Sequence, residues 1–258
     1  MKKTFGFNKI SGMHKHSANR GVGINSGSSI PTIAQSQLVL NFDASNVNSY
    51  SGTGNTWYNL ANTGDMTLTR PDYSVDGSGS FVMSDPQGGL DARYGILSTS
   101  GISDLNVGTG DFSASMWFKM GNFSTRQLLV SQYSTWTSNF DFAFVYQSNQ
   151  IRFWAGNGLS LYLGSTTTLI NDPSVWYNVC VVRESGVTKL YVNDVLQSST
   201  SLVGSIQNRA DLWFGYNKDY DEFMRNNGKI AQFSFYNRAL SDSERTANYD
   251  VLKQKYGY

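Results

Sequence analysis

Cysteine is almost absent from this 258-residue chain. The lone Cys180 excludes an internal disulfide framework and a multi-cysteine zinc or iron–sulfur site within one chain. Histidine is limited to His14 and His16, so no Ser/His/Asp set can be argued for the rest of the sequence. Glutamate occurs at Glu184, Glu222 and Glu244, with no two close together. Glycan cleavage needs two carboxyl groups about 5 to 9.5 Å apart, and this spacing offers no such strand. Charged residues make up 15% of the chain, too few for many salt-bridged helical faces. No apolar run reaches the roughly 20 residues of a membrane-spanning helix. What remains is rich in Ser, Asn and Gly, with 14% aromatics, a composition suited to short strands and polar turns.

The charge is unevenly distributed. Residues 1–42 hold Lys2, Lys3, Lys9, Lys15 and Arg20 and no acid, giving +5, whereas the rest carries −4. Residues 1–36 therefore read as a basic Gly/Ser-rich arm and residues 37–258 as one folded domain. The arm has too few apolar residues to repay its own ordering entropy. Two readings stay open: a solvated tail, or an extension ordered against a neighbouring subunit or acidic surface. Five charges without an interleaved aromatic or arginine-rich pattern are a poor nucleic-acid footprint. Met1-Lys-Lys-Thr-Phe5 is not followed by an apolar segment, so secretion by that route is not expected.

From about residue 37 the hydrophobic period is two. Phe112, Ala114, Met116, Phe118 and Met120 alternate with Ser113, Ser115, Trp117 and Lys119. Phe140, Phe142, Phe144 and Tyr146 alternate with Asp141, Ala143 and Val145, and Ile151, Phe153 and Ala155 with Arg152 and Trp154. Such alternation predicts strands with one buried face. Turn signals at Gly52-Thr-Gly-Asn55, Asn157-Gly158 and Asn193-Asp194 separate the runs, and no helices intervene. The expectation is an antiparallel two-sheet β-sandwich. A single helix is signalled by the capping box Ser241-Asp-Ser-Glu244 and should run to about Leu252, with Tyr249, Leu252 and Tyr256 facing the sandwich.

Several segments carry a family resemblance. Leu38-Val-Leu-Asn-Phe-Asp-Ala-Ser45, Thr56-Trp-Tyr-Asn-Leu60 and Gly110-Asp-Phe-Ser-Ala-Ser-Met-Trp-Phe118 are three of them. Trp176-Tyr-Asn-Val179 with Lys189-Leu-Tyr-Val-Asn193, and Asn227-Gly-Lys-Ile230 with Phe235-Tyr-Asn-Arg-Ala-Leu-Ser241, complete the set. In this order they resemble the laminin-G-like, concanavalin A-like lectin/glucanase sandwich, in the version common in phage and bacterial surface proteins. The resemblance implies an all-β jelly-roll of two packed antiparallel sheets with a short C-terminal helix. It does not by itself fix a function. Relatives often carry calcium near an aspartate after Gly-Lys-Ile. This chain has Ala231 and Gln232 there, so no cofactor is expected, with calcium at Asp219, Asp221 and Glu222 the lesser alternative.

Sugars stack their apolar faces on aromatic rings while amides and carboxylates read the hydroxyls. The candidates for such a groove are Trp136, Asp141, Arg152, Trp154, Trp213, Tyr216, Asp219 and Asp221. Cover by a loop or a subunit is the competing reading of the same side chains. The function expected is a non-catalytic phage virion structural protein, assembled in the host cytoplasm. It would join other virion subunits or copies of itself through the basic arm and display a lectin-like sandwich. No membrane and no specific nucleic acid are expected as partners. The alternatives are a soluble or cell-surface carbohydrate-binding module and, further off, a glycoside hydrolase with a displaced acid pair.

Overall fold

The computed structural model describes residues 32–61, 64–84, 91–133, 140–156, 162–165, 168–201, 205–208, 210–217 and 222–258. In chain order the first strands are β1 (Leu38–Asp43), β2 (Thr56–Trp57), β3 (Met66–Thr69), β4 (Tyr73–Ser74), β5 (Ser80–Val82) and β6 (Tyr94–Leu97). Next come β7 (Phe112–Lys119), β8 (Gln127–Tyr133), β9 (Phe140–Gln147), β10 (Gln150–Ala155), β11 (Tyr162–Ser165) and β12 (Tyr177–Glu184). The last are β13 (Val187–Val192), β14 (Val195–Ser201), β15 (Leu212–Phe214), β16 (Tyr216–Asn217), β17 (Glu222–Phe223) and β18 (Lys229–Tyr236), before helix α1 (Asp242–Lys253).

Among the described residues these strands form two eight-stranded antiparallel sheets and the small β16–β17 pair. Sheet I has the order β14-β13-β12-β7-β18-β5-β4, with β1 also on β18. Sheet II runs β11-β10-β9-β8-β15-β6-β3-β2. The greasy half of each alternating strand turns inward. Phe112, Met116, Phe118, Phe233 and Phe235 of sheet I meet Phe142, Phe144, Phe153 and Phe214 of sheet II in one continuous core. Phe235 stacks on Phe142 at 5.9 Å between ring centres, and Phe233 meets Phe214 edge-on at 5.0 Å. Fully burying each such ring stabilises the fold by roughly 1.5–3 kcal/mol, and ring pairing adds to it.

Tight turns fix the register. The β9–β10 hairpin turns through Ser148 and Asn149, both at positive φ, and β13–β14 through Asn193 and Asp194 at φ 48° and 66°. These are the angles of a two-residue hairpin with the right-handed strand twist. Glycine suits the second position best on backbone grounds, and the structure gives a reason for aspartate. The Asp194 carboxylate accepts hydrogen bonds from Arg245 and from the Thr246 hydroxyl (2.8 Å), tying the hairpin to α1.

Helix α1 begins as the capping box predicts. The Glu244 amide donates to the Ser241 hydroxyl oxygen at 3.3 Å, and the Ser241 amide donates to the Glu244 carboxylate at 3.0 Å. The helix lies on the outer face of sheet I, where Trp117, Trp176 and Ala231 pack with Leu252, Tyr256 and Tyr249. Trp117 stacks against Tyr256 at 4.3 Å and Tyr249 at 5.5 Å. Residues 32–36, grouped with the arm on composition, are fastened to this same layer. Ile33 is buried beside Trp117 and Leu252, the Ala34 amide donates to Asn248, and Arg238 donates to the Ser36 carbonyl. The five basic residues Lys2, Lys3, Lys9, Lys15 and Arg20 lie outside the described residues.

Candidate functional site

The wet half of each sheet II strand forms the opposite outer face. Antiparallel pairing brings Thr67, Ile96, Trp213, Ser131, Ala143 and Trp154 into one row across six strands. Paired residues share a face, so Trp213 and Trp154 stand on the same surface. They are three strands apart, about 14 Å at ~4.8 Å per strand. The two positions between them, Ser131 and Ala143, carry small side chains.

The two tryptophans end differently. Trp154 is 6% exposed, packed with Leu128, Ala143 and Val145. The Arg126 guanidinium lies 5.5 Å from its ring centre, and Arg126 is bonded to Glu222 through Nη2 and through Nε at 2.7 Å. A charged pair from the β8 and β17 sides thus roofs Trp154. Trp213 stays half-buried and gathers aromatic neighbours. Tyr94 lies 5.6 Å and Tyr216 5.7 Å from it, ring centre to ring centre, and the two tyrosines are 5.0 Å apart. Tyr216 is backed by Phe223, stacked at 4.3 Å across the β16–β17 pair. Gly215 makes this grouping possible. It turns the chain from β15 into β16 at φ 75°, and a Cβ there would collide with Met83. Three half-buried rings, Tyr216 among them backed by Phe223, form a grouping of the kind that takes the apolar face of a sugar ring.

The other sequence candidates fall in several places. Arg152 is half-buried beside Trp154, donating to the Gln147 side chain at 2.8 Å. Asp141 faces away from the phenylalanines, as its place in the alternation requires, yet it is fully buried. Its carboxylate accepts the Gln207 amide at 2.8 Å and its carbonyl accepts the Gly156 amide at 3.2 Å. It therefore anchors two loops, and this burial corrects its reading as a groove residue. Burial likewise corrects Trp154 as an open platform. Trp136, Asp219 and Asp221 lie outside the described residues. Trp213 and Tyr216 are brought together, Tyr94 joins them without having been singled out from the sequence, and Arg126, also not singled out, lies over Trp154 instead. The Tyr94-Gly-Ile-Leu97 alternation could have placed Tyr94 on the Trp213 face. Nothing local marks Arg126 as the roof of a residue 28 positions away.

The three glutamates are each paired with a cation. Glu184 pairs with Lys189, Glu222 with Arg126, and Glu244 with Arg238. Hydrogen bonds from Arg238 and from the Ser241 amide hold Glu244 at a pKa of about 2. Asp76 is held at about 2 as well. Partial burial works against its charge, but bonds from Lys229, Trp176 and Lys119 outweigh it. Cys180 is buried and its thiol is pushed up to about 12, so it is not a nucleophile at neutral pH. At the family's calcium position Ala231 packs under α1 and Gln232 is buried in β18, so neither offers a carboxylate to a hard cation. Among the described residues no three His, Cys, Asp or Glu side chains converge.

A family model described as the concanavalin A-like lectin/glucanases superfamily matches residues 93–244. No curated protein sequence matches the chain. Among solved structures, the binding domain of Paraclostridial mosquitocidal protein 1 superposes with a TM-score of 0.63 at 15% identity, covering 84% of this chain and 52% of that one. A structure of botulinum neurotoxin type C, whose cell entry depends upon interaction with two ganglioside molecules, gives 0.64 at 14%, covering 84% and 51%. The binding domain of botulinum neurotoxin DC in complex with SialylT gives 0.62 at 13%, covering 84% and 52%. The chain therefore spans about half the length of these structures. At such identities the likeness concerns the fold alone.

Proposed function

The chain belongs to the concanavalin A-like lectin/glucanases superfamily, and from that premise we propose that it is a non-catalytic recognition sandwich binding saccharides on the outer face of sheet II. The observation that carries this reading is the half-buried grouping of Tyr94, Trp213 and Tyr216. Rings at these distances offer a hydrophobic platform at the cost of few rotamers. The engagement of Glu184, Glu222 and Glu244 with cations supports binding over bond cleavage. The gangliosides on which cell entry of one similar protein depends, and the SialylT held in complex by another, supply the ligand class to try first. A glycan array probed with the full chain should give hits that Trp213→Ala removes. An array without hits, or release of reducing sugar from a bound oligosaccharide, would contradict the reading.

A second reading concerns where the sandwich is displayed, and the charge partition favours it. With +5 in residues 1–42 and −4 beyond, the arm suits burial against an acidic neighbour. In this reading the chain is a phage virion component, assembled in the host cytoplasm, with the arm joining other subunits or copies of itself. Removing residues 1–31 leaves Ile33 in place under α1, so the sandwich should fold while particle incorporation is lost. Incorporation at the normal level would remove this reading.

A further inference from the structure

At one end of sheet II, where β6 and β15 lead into loops, lies an open recess of about 270 Å³. It is lined by Thr99, Ser100, Gly101, Ile102, Ser103, Asn106, Gln207 and Asn208, and none of these side chains is charged. Its frame is tightly built. The Asn208 side-chain amide donates to the carbonyls of Thr99 (3.3 Å) and Ile102 (3.0 Å), and its oxygen accepts from Gln132 at 2.5 Å. The Thr99 hydroxyl and Gln132 both donate to the Ala210 carbonyl. On the far side the Gln207 amide is held by the buried carboxylate of Asp141. Two loops more than one hundred residues apart in sequence are thus fixed in one arrangement before any ligand arrives, which lowers the ordering cost of binding.

The groups left at the rim have a definite chemistry. Ser100, Ser103 and Asn106 are exposed, whereas Ile102 gives a small apolar floor. A primary amide presents a donor and an acceptor side by side, and each hydroxyl does both, so the set matches neighbouring hydroxyls on a ring. Among the described residues no lysine or arginine lines the recess, and Asp104 and Asp211 stand exposed in the adjoining segments, which disfavours an anion. The volume lies just under the ~300–1,000 Å³ of drug-sized pockets, a size for one small ring. We propose that this recess is a second saccharide subsite, distinct from the aromatic platform, which takes a single uncharged sugar residue. The proposal rests on the saccharide-binding reading and names a different location and ligand charge.

The test titrates the ¹⁵N-labelled full chain with methyl glucoside, methyl galactoside and N-acetylglucosamine, with glucuronic acid as the charged arm. A neutral sugar should shift the backbone amides of Ser100 to Asn106, Gln207 and Asn208, and glucuronic acid should shift them at least fivefold less at equal concentration. Asn106→Ala should weaken the neutral sugar at least tenfold with an unchanged melting temperature, and Trp213→Ala should leave these shifts in place. Ser103→Trp, which fills the recess from an exposed position, is the independent blocking variant and should abolish them. Shifts confined to Tyr94, Trp213 and Tyr216 would overturn the subsite and leave the broader reading standing. Equal response to glucuronic acid would overturn the neutral assignment. No response to any saccharide, here and on the array, would overturn both.

Discussion

The two outer faces of the sandwich begin from the same sequence pattern and end in opposite states. On sheet I, Trp117 points away from the core and is closed over by Tyr249 and Tyr256 of the C-terminal segment. On sheet II, Trp213 also points away from the core, and among the described residues its aromatic neighbours Tyr94 and Tyr216 are, like it, only half-buried. The first face is fastened by ion pairs: Asp76 with Lys119 and Lys229, Glu244 with Arg238, and Asp194 with Arg245. Over Trp154 on the second lies the pair Arg126 with Glu222. An aromatic on the wet side of a strand is therefore closed in where a distant segment folds back over it, as Tyr249 and Tyr256 do over Trp117, and Trp213 keeps part of its surface in solvent.

The largest expected effect breaks the first face. Trp117→Ala should cost about 3–5 kcal/mol in urea unfolding, the usual range for emptying a buried tryptophan site. Trp213→Ala should cost about 1 kcal/mol or less, since a half-exposed side chain leaves no closed cavity. Equal losses at the two positions would erase the distinction between the faces.

Acid sharpens the comparison next. Asp76 and Glu244 have folded pKa values near 2, below their ordinary 3.8 and 4.5. Both are depressed, so their stabilisation is complete above the ordinary values and is lost as pH falls through about 2. The urea midpoint should drop over that window. The Asp76→Asn/Glu244→Gln double variant should be less stable at pH 7 and show a flatter acid limb. An acid limb as steep as that of the parent would place the titrating groups elsewhere.

Smaller effects follow. Ser241→Ala removes the helix cap and should cost about 1 kcal/mol, read from the denaturation midpoint. Glu222→Gln releases Arg126 at the partly exposed pair over Trp154 and should change stability by less than about 1 kcal/mol. A larger loss there would mean that the second face is as firmly covered as the first.

Much of this architecture was legible in the amino-acid order. Period-two runs placed Phe112 to Met120 and Phe142 to Tyr146, and Ser241 with Glu244 marked where α1 starts, because these signals are local. The candidate site was legible only in half. Trp213 and Tyr216 could be singled out as aromatics near a turn. Whether a wet-side residue is covered depends on segments far along the chain. Arg126 reaches Trp154 from another strand, and Gln207 claims the Asp141 carboxylate across 66 positions. Asn193-Asp194 marked a turn locally, but the reason for aspartate at its second position lies in Arg245 and Thr246, some fifty residues on, which donate to its carboxylate. Residues 32–36 read as arm by composition, because one isoleucine among small polar residues does not announce a docking site under a helix.

The most direct measurement is a calorimetric titration of the full chain and of Trp213→Ala with one saccharide that binds the parent on the array, alongside urea unfolding of both. Affinity falling at least tenfold, with unfolding free energy nearly unchanged, is the predicted result. Affinity that is retained in Trp213→Ala would show that the sheet II platform does not carry recognition.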